Sequence, residues 1–131
     1  MTLVRGFLVV AILAITVGCL RRGRKDATRP FDAITTVRIT NENWLDVRVY
    51  VAPSGSSGAG SHILGIAKSF ASEVFQMPRD VMQTGSVQLT VDPIGSQQRY
   101  RTESISVLPG QQIHLVVAQR LQQSYYSVAD R

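Results

Sequence analysis

Apolar and polar residues alternate along most of the chain from Thr35 onward. In Leu45–Val51 aliphatic residues occupy every second position, with Asp46, Arg48 and Tyr50 between them. Because successive side chains of a strand point to opposite faces, this pattern predicts a strand with one buried and one exposed face. The same reasoning predicts strands at Thr35–Thr40, Ser86–Asp92, Ser104–Leu108 and Gln112–Ala118, with weaker candidates at His62–Ala67, Ser72–Met77, Gln97–Thr102 and Gln122–Val128.

Turn-forming residues separate these segments. Pro53–Gly60 is rich in Gly and Ser, and Leu108–Gly110 combines Pro with Gly. No helical pattern of comparable strength occurs. We therefore expect an all-β fold, a single β-sandwich of immunoglobulin-like architecture with about seven short antiparallel strands over residues 35–131. The single cysteine excludes the disulfide of true immunoglobulin domains, so the comparison is one of architecture.

The amino-terminal segment has a different pattern. Met1–Arg5 is short and basic, and Gly6–Val17 is almost continuously apolar. An apolar run of this length is short for a membrane-spanning helix, which needs about 17–25 residues. It has the length of the apolar region of a signal peptide, about 7–15 residues.

The run ends in Thr16-Val17-Gly18-Cys19, which resembles the lipobox of bacterial lipoprotein precursors. Gly18 matches the small residue before the lipidated cysteine, Cys19 matches that cysteine, and Thr16 stands where the family usually has Leu. The resemblance implies cleavage before Cys19 and attachment of diacylglycerol and an N-acyl lipid to it. It also favours the outer membrane, if the organism has one, because Leu20 rather than Asp follows the cysteine.

Positive charge is concentrated next to this motif. The chain has a net charge of +5 and a pI of about 10.0, but from Phe31 onward eight basic residues balance eight acidic ones. A neutral body argues against nucleic-acid binding, which needs a basic face. A dense basic cluster follows Cys19 and would contact anionic headgroups or serve as a solvated linker; it includes Arg21, Arg22, Arg24 and Lys25.

Residues suited to catalysis or metal binding are sparse. His62 and His114 are far apart, and we expect His114 to be an exposed sheet residue. Met77 and Met82 are expected to fill gaps in the core, and Asp92, which precedes a proline, is expected to cap a turn. We predict no enzymatic activity, no metal site, no cofactor and no small-molecule substrate.

Aromatic and arginine residues provide a candidate partner surface. Arg48 and Tyr50 share the polar face of one predicted strand, and Arg99 and Arg101 lie close together in another. Residues of these types are enriched at binding hot spots. Trp44, in contrast, is expected to plug one end of the core.

These patterns favour a non-enzymatic cell-envelope protein with three parts: a signal peptide at 1–18, a lipidated tether at 19–34 and a β-sandwich at 35–131. The sandwich would be a binding or structural module displayed from the membrane through Cys19. One alternative is an accessory subunit that docks on an envelope protein through a sheet edge. Another is an inward-facing protein with an uncleaved amino-terminal helix, since basic residues after an apolar run favour the cytoplasmic side.

Overall fold

The structure, a computed structural model, describes residues 33–57 and 60–131. These residues form nine strands and two short 3₁₀ helices, at Val81–Thr84 and Leu121–Gln123. The strands are β1 (Thr36–Asn41), β2 (Val47–Pro53), β3 (His62–Ala67), β4 (Ser72–Gln76), β5 (Ser86–Pro93), β6 (Tyr100–Arg101), β7 (Ile105–Ser106), β8 (Gln112–Val117) and β9 (Tyr125–Ala129).

The strands build two sheets that pack face to face, so the predicted β-sandwich is confirmed. Sheet A has the order β4-β1-β8-β9. Sheet B has the order β3-β2-β5-β6, with β7 also paired to β5. Every pairing is antiparallel except β1 with β8, which is parallel. The expectation of antiparallel strands throughout is therefore wrong at this pair.

The core lies between the two sheets and is formed by the aliphatic positions of the alternating pattern. Val47, Val49 and Val51 of β2 are fully buried, as the pattern predicts. Sheet A contributes the buried residues Val37, Ile39, Ile113, Leu115 and Val117, and Met77 and Val81 fill space between the strands. Met82 packs against this core, which confirms the expectation for both methionines.

Edge strand β3 carries a bulge, and next to it the two sheets lie close together. The β2–β3 register shifts between Val49 and Tyr50. At Gly65 an added Cβ would overlap the ring of Phe75, which extends from β4 of the other sheet. A side chain at Gly65 would therefore require the Phe75 ring or the adjoining strands to shift.

In the connection between β1 and β2, the prediction for Trp44 is wrong. Trp44 does not plug the core: it is 70% exposed, and its ring meets the edge of Phe70 at a centroid distance of 5.1 Å. Leu45 is also exposed, and the strand begins at Val47. The Asn41 side-chain amide donates hydrogen bonds to the carbonyls of Leu45, Ala67 and Lys68. These bonds hold the connection as a loop, with Trp44 on its outside.

The fourth strand of sheet B is interrupted, so the predicted strands Gln97–Thr102 and Ser104–Leu108 shorten to β6 and β7. Buried Thr102 lies between them and exchanges two hydrogen bonds with Leu89: its N–H donates to the Leu89 carbonyl and its hydroxyl accepts the Leu89 N–H. The hydroxyl replaces a backbone acceptor of the ladder.

Candidate binding surface

The outer face of sheet B brings together the four residues that the sequence singled out as a partner surface. β2 contributes Arg48 and Tyr50. On the neighbouring strand β5, Asp92 lies opposite Arg48 and Thr90 lies opposite Tyr50. On the far side of β5, Thr90 pairs with Arg101, and Arg99 immediately precedes β6. We call this set the arginine surface; its members are Arg48, Tyr50, Thr90, Asp92, Arg99 and Arg101.

Asp92 lies between two of the arginines. Its carboxylate is 3.5 Å from Nε of Arg99 and 4.0 Å from Nη1 of Arg48. The Asp92 side chain is 16% exposed, whereas that of Arg99 is 71% exposed. The expectation that Asp92 caps a turn is thus replaced by a different role, because Pro93 continues β5 and pairs with Val47. One carboxylate positions two guanidinium groups and leaves the surface with net positive charge.

Arg101 is held by neutral acceptors. Its Nη2 donates to Oε1 of Gln88 at 2.8 Å and to the carbonyl of Ser56 at 3.3 Å. Among the described residues no carboxylate lies within salt-bridge distance of it. Arg101 is therefore fixed in place without being neutralised.

Arg48 remains charged over the whole physiological range. Hydrogen bonding and charge interaction with Tyr50, and to a smaller degree the charge of Asp92, raise the pKa of Arg48 above its ordinary value.

The arginine surface borders a shallow depression of about 510 Å³. Its lining combines two guanidinium groups with hydroxyl groups and one small apolar residue: Tyr50, Ala52, Ser57, Ser61, Thr90, Arg99 and Arg101. Guanidinium groups bind carboxylate and phosphate oxygens through paired N–H donors, and hydroxyls donate further hydrogen bonds. The arrangement suits an anionic group.

His62 and His114 are not close to each other in the structure. Nε2 of His62 lies 2.8 Å from an Asp80 oxygen, whereas Nε2 of His114 lies 2.9 Å from the Thr40 hydroxyl on the outer face of sheet A. His114 does occupy the outward position that the alternation predicts, although it is half-buried. Within residues 33–57 and 60–131, no three His, Cys, Asp or Glu side chains are grouped closely enough to hold a metal ion.

A second depression, of about 530 Å³, lies where the described chain begins. It is lined by Ile34, Met77, Arg79, Met82 and Pro109, among others. It carries a single cationic side chain and lies apart from the residues of the arginine surface.

The lipidation and membrane-contact predictions, Cys19, Arg21, Arg22, Arg24 and Lys25, lie outside the described residues. In the part of the chain that is described, no helix is long and apolar enough to cross a membrane.

Comparisons with known proteins identify no family. No protein-family model matches the sequence, and a search of curated proteins finds no match. Among solved structures, the chain is similar to the NMR structure of a protein from Eubacterium rectale, with 12% sequence identity and a TM-score of 0.48. The similarity covers 79% of this chain and 95% of the other.

Proposed function

We propose that this protein is a non-enzymatic, lipid-anchored cell-envelope module whose arginine surface binds an anionic group on an envelope partner. The observation that carries the proposal is the presence of Arg48, Arg99 and Arg101 on one sheet face, where, among the described residues, a single carboxylate, that of Asp92, contacts only the first two. A carboxylate- or phosphate-bearing segment of the partner would supply the negative charge that the face lacks.

The geometry supports binding because the side chains are already ordered. Arg99 is oriented by Asp92, and Arg101 by Gln88 and the Ser56 carbonyl. Fixing a side chain such as arginine costs about 0.5–1.5 kcal/mol when a partner binds. Groups held in place beforehand reduce that cost, so the surface is preorganised for an anion.

The anchor follows from the lipobox resemblance at Thr16–Cys19. Residues 20–34 would then form a tether that reaches about 50 Å at full extension. Its basic residues would add electrostatic attraction of about 1 kcal/mol each to anionic headgroups near the surface. Such a tether lets the sandwich reach a partner beside the membrane.

Mass spectrometry of the mature protein tests the anchor. We expect the chain to begin at Cys19 with diacylglycerol and an N-acyl chain attached, and the Cys19→Ala variant to lose that mass and its retention in membranes. An intact Met1 together with unchanged retention of the variant would contradict the lipoprotein assignment and favour the inward-facing alternative.

Charge-neutralising variants test the arginine surface. We expect the full chain, purified from detergent-solubilised envelopes, to retain a specific protein that the Arg99→Gln/Arg101→Gln double variant loses. Arg38→Gln/Arg120→Gln removes the same charge at exposed positions off this surface and should retain the partner. The same set of proteins retained by all three forms would contradict the proposal.

A further inference from the structure

The free edges of the two sheets differ in how they are protected against pairing with another strand. Exposed edges invite such pairing, and proteins block it with bulges, interruptions or inward-pointing charges. β3 carries a bulge, and the opposite edge of sheet B is interrupted between Arg101 and Ile105. On β4, Glu73 pairs with fully buried Ile39 and so points a charge toward the inner side.

Edge strand β9 has none of these devices. Its sequence, Tyr-Tyr-Ser-Val-Ala, contains no charge and no proline, and its register with β8 is continuous over all five residues. Among the described residues, no backbone hydrogen bond outside the β8–β9 ladder involves Tyr125–Ala129. Within residues 33–57 and 60–131, β9 therefore offers a regular row of backbone donors and acceptors that no other segment covers.

This edge is also held firmly in position. The Tyr126 hydroxyl donates to a Glu103 oxygen at 3.3 Å, and the Tyr100 hydroxyl donates to the Ser124 carbonyl at 3.0 Å. Burial, and then the charge of Glu103, raise the pKa of both tyrosines, so both hydroxyls keep their protons at neutral pH. These bonds tie the β9 edge of sheet A to sheet B.

We propose that β9 pairs antiparallel with β9 of a second copy of this chain, about a two-fold axis that passes beside Ser127. The axis places Ser127 opposite its own counterpart, Tyr126 opposite Val128, and Tyr125 opposite Ala129. Tyr126 opposite Val128 is an aromatic–β-branched pair, which is a favourable cross-strand pairing, and no like charges face each other along the five residues. The two four-stranded sheets become one continuous sheet of eight strands.

Three further observations fit a second copy as the occupant. Tyr126 and Val128 are partly buried at the inner side of the edge, so the pairing continues the core of each copy into the other. Tyr125, on the outer side, is 61% exposed and would be partly covered. From Phe31 onward the chain is neutral, so two bodies approach without net repulsion. The proposal does not depend on the proposed function.

The arrangement has a consequence for the arginine surface. In an antiparallel pair the two-fold axis is perpendicular to the sheet, so sheet B lies on the same side of sheet A in both copies. Both arginine surfaces then face the same direction. A dimer would present two arginine surfaces on the same side.

Cysteine cross-linking tests the pairing directly. Cys19 is the only cysteine, so the full chain with Cys19→Ala and Ser127→Cys carries one thiol. Opposed residues of an antiparallel pair lie about 4.5–5.5 Å apart between Cα atoms, within the range of a disulfide. Under mild oxidation in detergent we expect a linked homodimer. Ser72→Cys, an exposed serine at the other edge of sheet A, is the matched control and should stay largely monomeric.

A charge exchange tests the register. Ser127→Asp and Ser127→Lys each place like charges opposite each other, so we expect each variant alone to dimerise about tenfold more weakly in sedimentation equilibrium. Mixing the two variants should restore the dimer. Equal cross-linking of the Ser127→Cys and Ser72→Cys chains, or dimerisation of Ser127→Asp alone at wild-type strength, would overturn the proposal. A cross-link from Ser127→Cys to a different protein would assign the edge to that protein instead of a second copy.

Discussion

The outer faces of the two sheets use their polar residues in opposite ways. On sheet A the Thr40 hydroxyl is 3.0 Å from the Ser72 hydroxyl and 2.9 Å from Nε2 of His114, and Gln112 donates to Thr36. These groups bind one another. On sheet B, among the described residues, Arg48 and Arg99 share the single carboxylate of Asp92, and Arg101 is held by neutral acceptors alone. The same alternation of residues thus produces one face whose hydroxyl, imidazole and amide groups bind one another and one face with an excess of positive charge.

The largest effect is expected from a change in the core that both faces share. Gly65→Ala should lower the free energy of unfolding by about 1–3 kcal/mol, because the new methyl group meets the Phe75 ring. Urea denaturation measures the change. Phe75→Leu in the Gly65→Ala background should cost less than the sum of the two single changes, since the shortened side chain relieves the overlap. If the losses in free energy of unfolding of the two single variants simply add up in the double variant, the Phe75 ring is not what opposes a side chain at position 65.

A threonine on each face provides a direct comparison. Thr40→Val on sheet A should cost about 1 kcal/mol, because it removes the hydroxyl that binds Ser72 and His114. Thr90→Val on sheet B should have a smaller effect, because among the described residues the Thr90 hydroxyl has no hydrogen-bond partner. Chemical denaturation of both variants decides the matter. Equal losses in the free energy of unfolding for Thr40→Val and Thr90→Val would contradict the claim that only the sheet A hydroxyl is hydrogen-bonded among the described residues.

The arginine surface should matter little for folding. We expect Arg99→Gln/Arg101→Gln to change the free energy of unfolding by less than about 0.5 kcal/mol, as exposed substitutions usually do. Thermal and urea unfolding of the double variant would check this beside the Arg38→Gln/Arg120→Gln control. A large loss only in the double variant would assign these arginines a structural role.

The smallest effect concerns a charge pair that is satisfied within the protein. The backbone N–H of Ser69 and the ammonium of Lys68 lower the pKa of Asp46 below its ordinary value of 3.8. A lowered pKa contributes stability above the ordinary value, and this contribution is lost as the pH falls through the lowered one. Wild type should therefore exceed Asp46→Asn in stability at pH 7, and the difference should shrink at pH 3. A difference independent of pH would contradict this explanation.

Sequence alternation predicted most strands and the buried face of each because those features depend on local side-chain direction. The prediction failed at Trp44 and Leu45. The side-chain amides of Asn41 and Asn43 form hydrogen bonds with backbone groups of Leu45 and Ala118, and these bonds hold the segment as a loop with Trp44 on its outside. The parallel β1–β8 pair was also out of reach, since strand partners are chosen by contacts far apart in sequence.

The candidate surface was predictable in part. Arg48 and Tyr50 share a face by their spacing of two, but their meeting with Arg101 depends on β2, β5 and β6 lying side by side. The role of Asp92 was missed because the proline that follows it indicated a turn, and the carboxylate was therefore expected to cap that turn. In the structure β5 continues through Asp92 to Pro93, which pairs with Val47.

Site-specific photo-cross-linking in living cells tests the central claim most directly. A photoreactive residue at position 90, beside the depression of sheet B, is compared with one at position 38, exposed on sheet A. We predict a discrete adduct from position 90 that disappears with Arg99→Gln/Arg101→Gln, and no corresponding adduct from position 38. The absence of an adduct at position 90, or one that persists without the two arginines, would contradict the claim that this face binds an anionic partner.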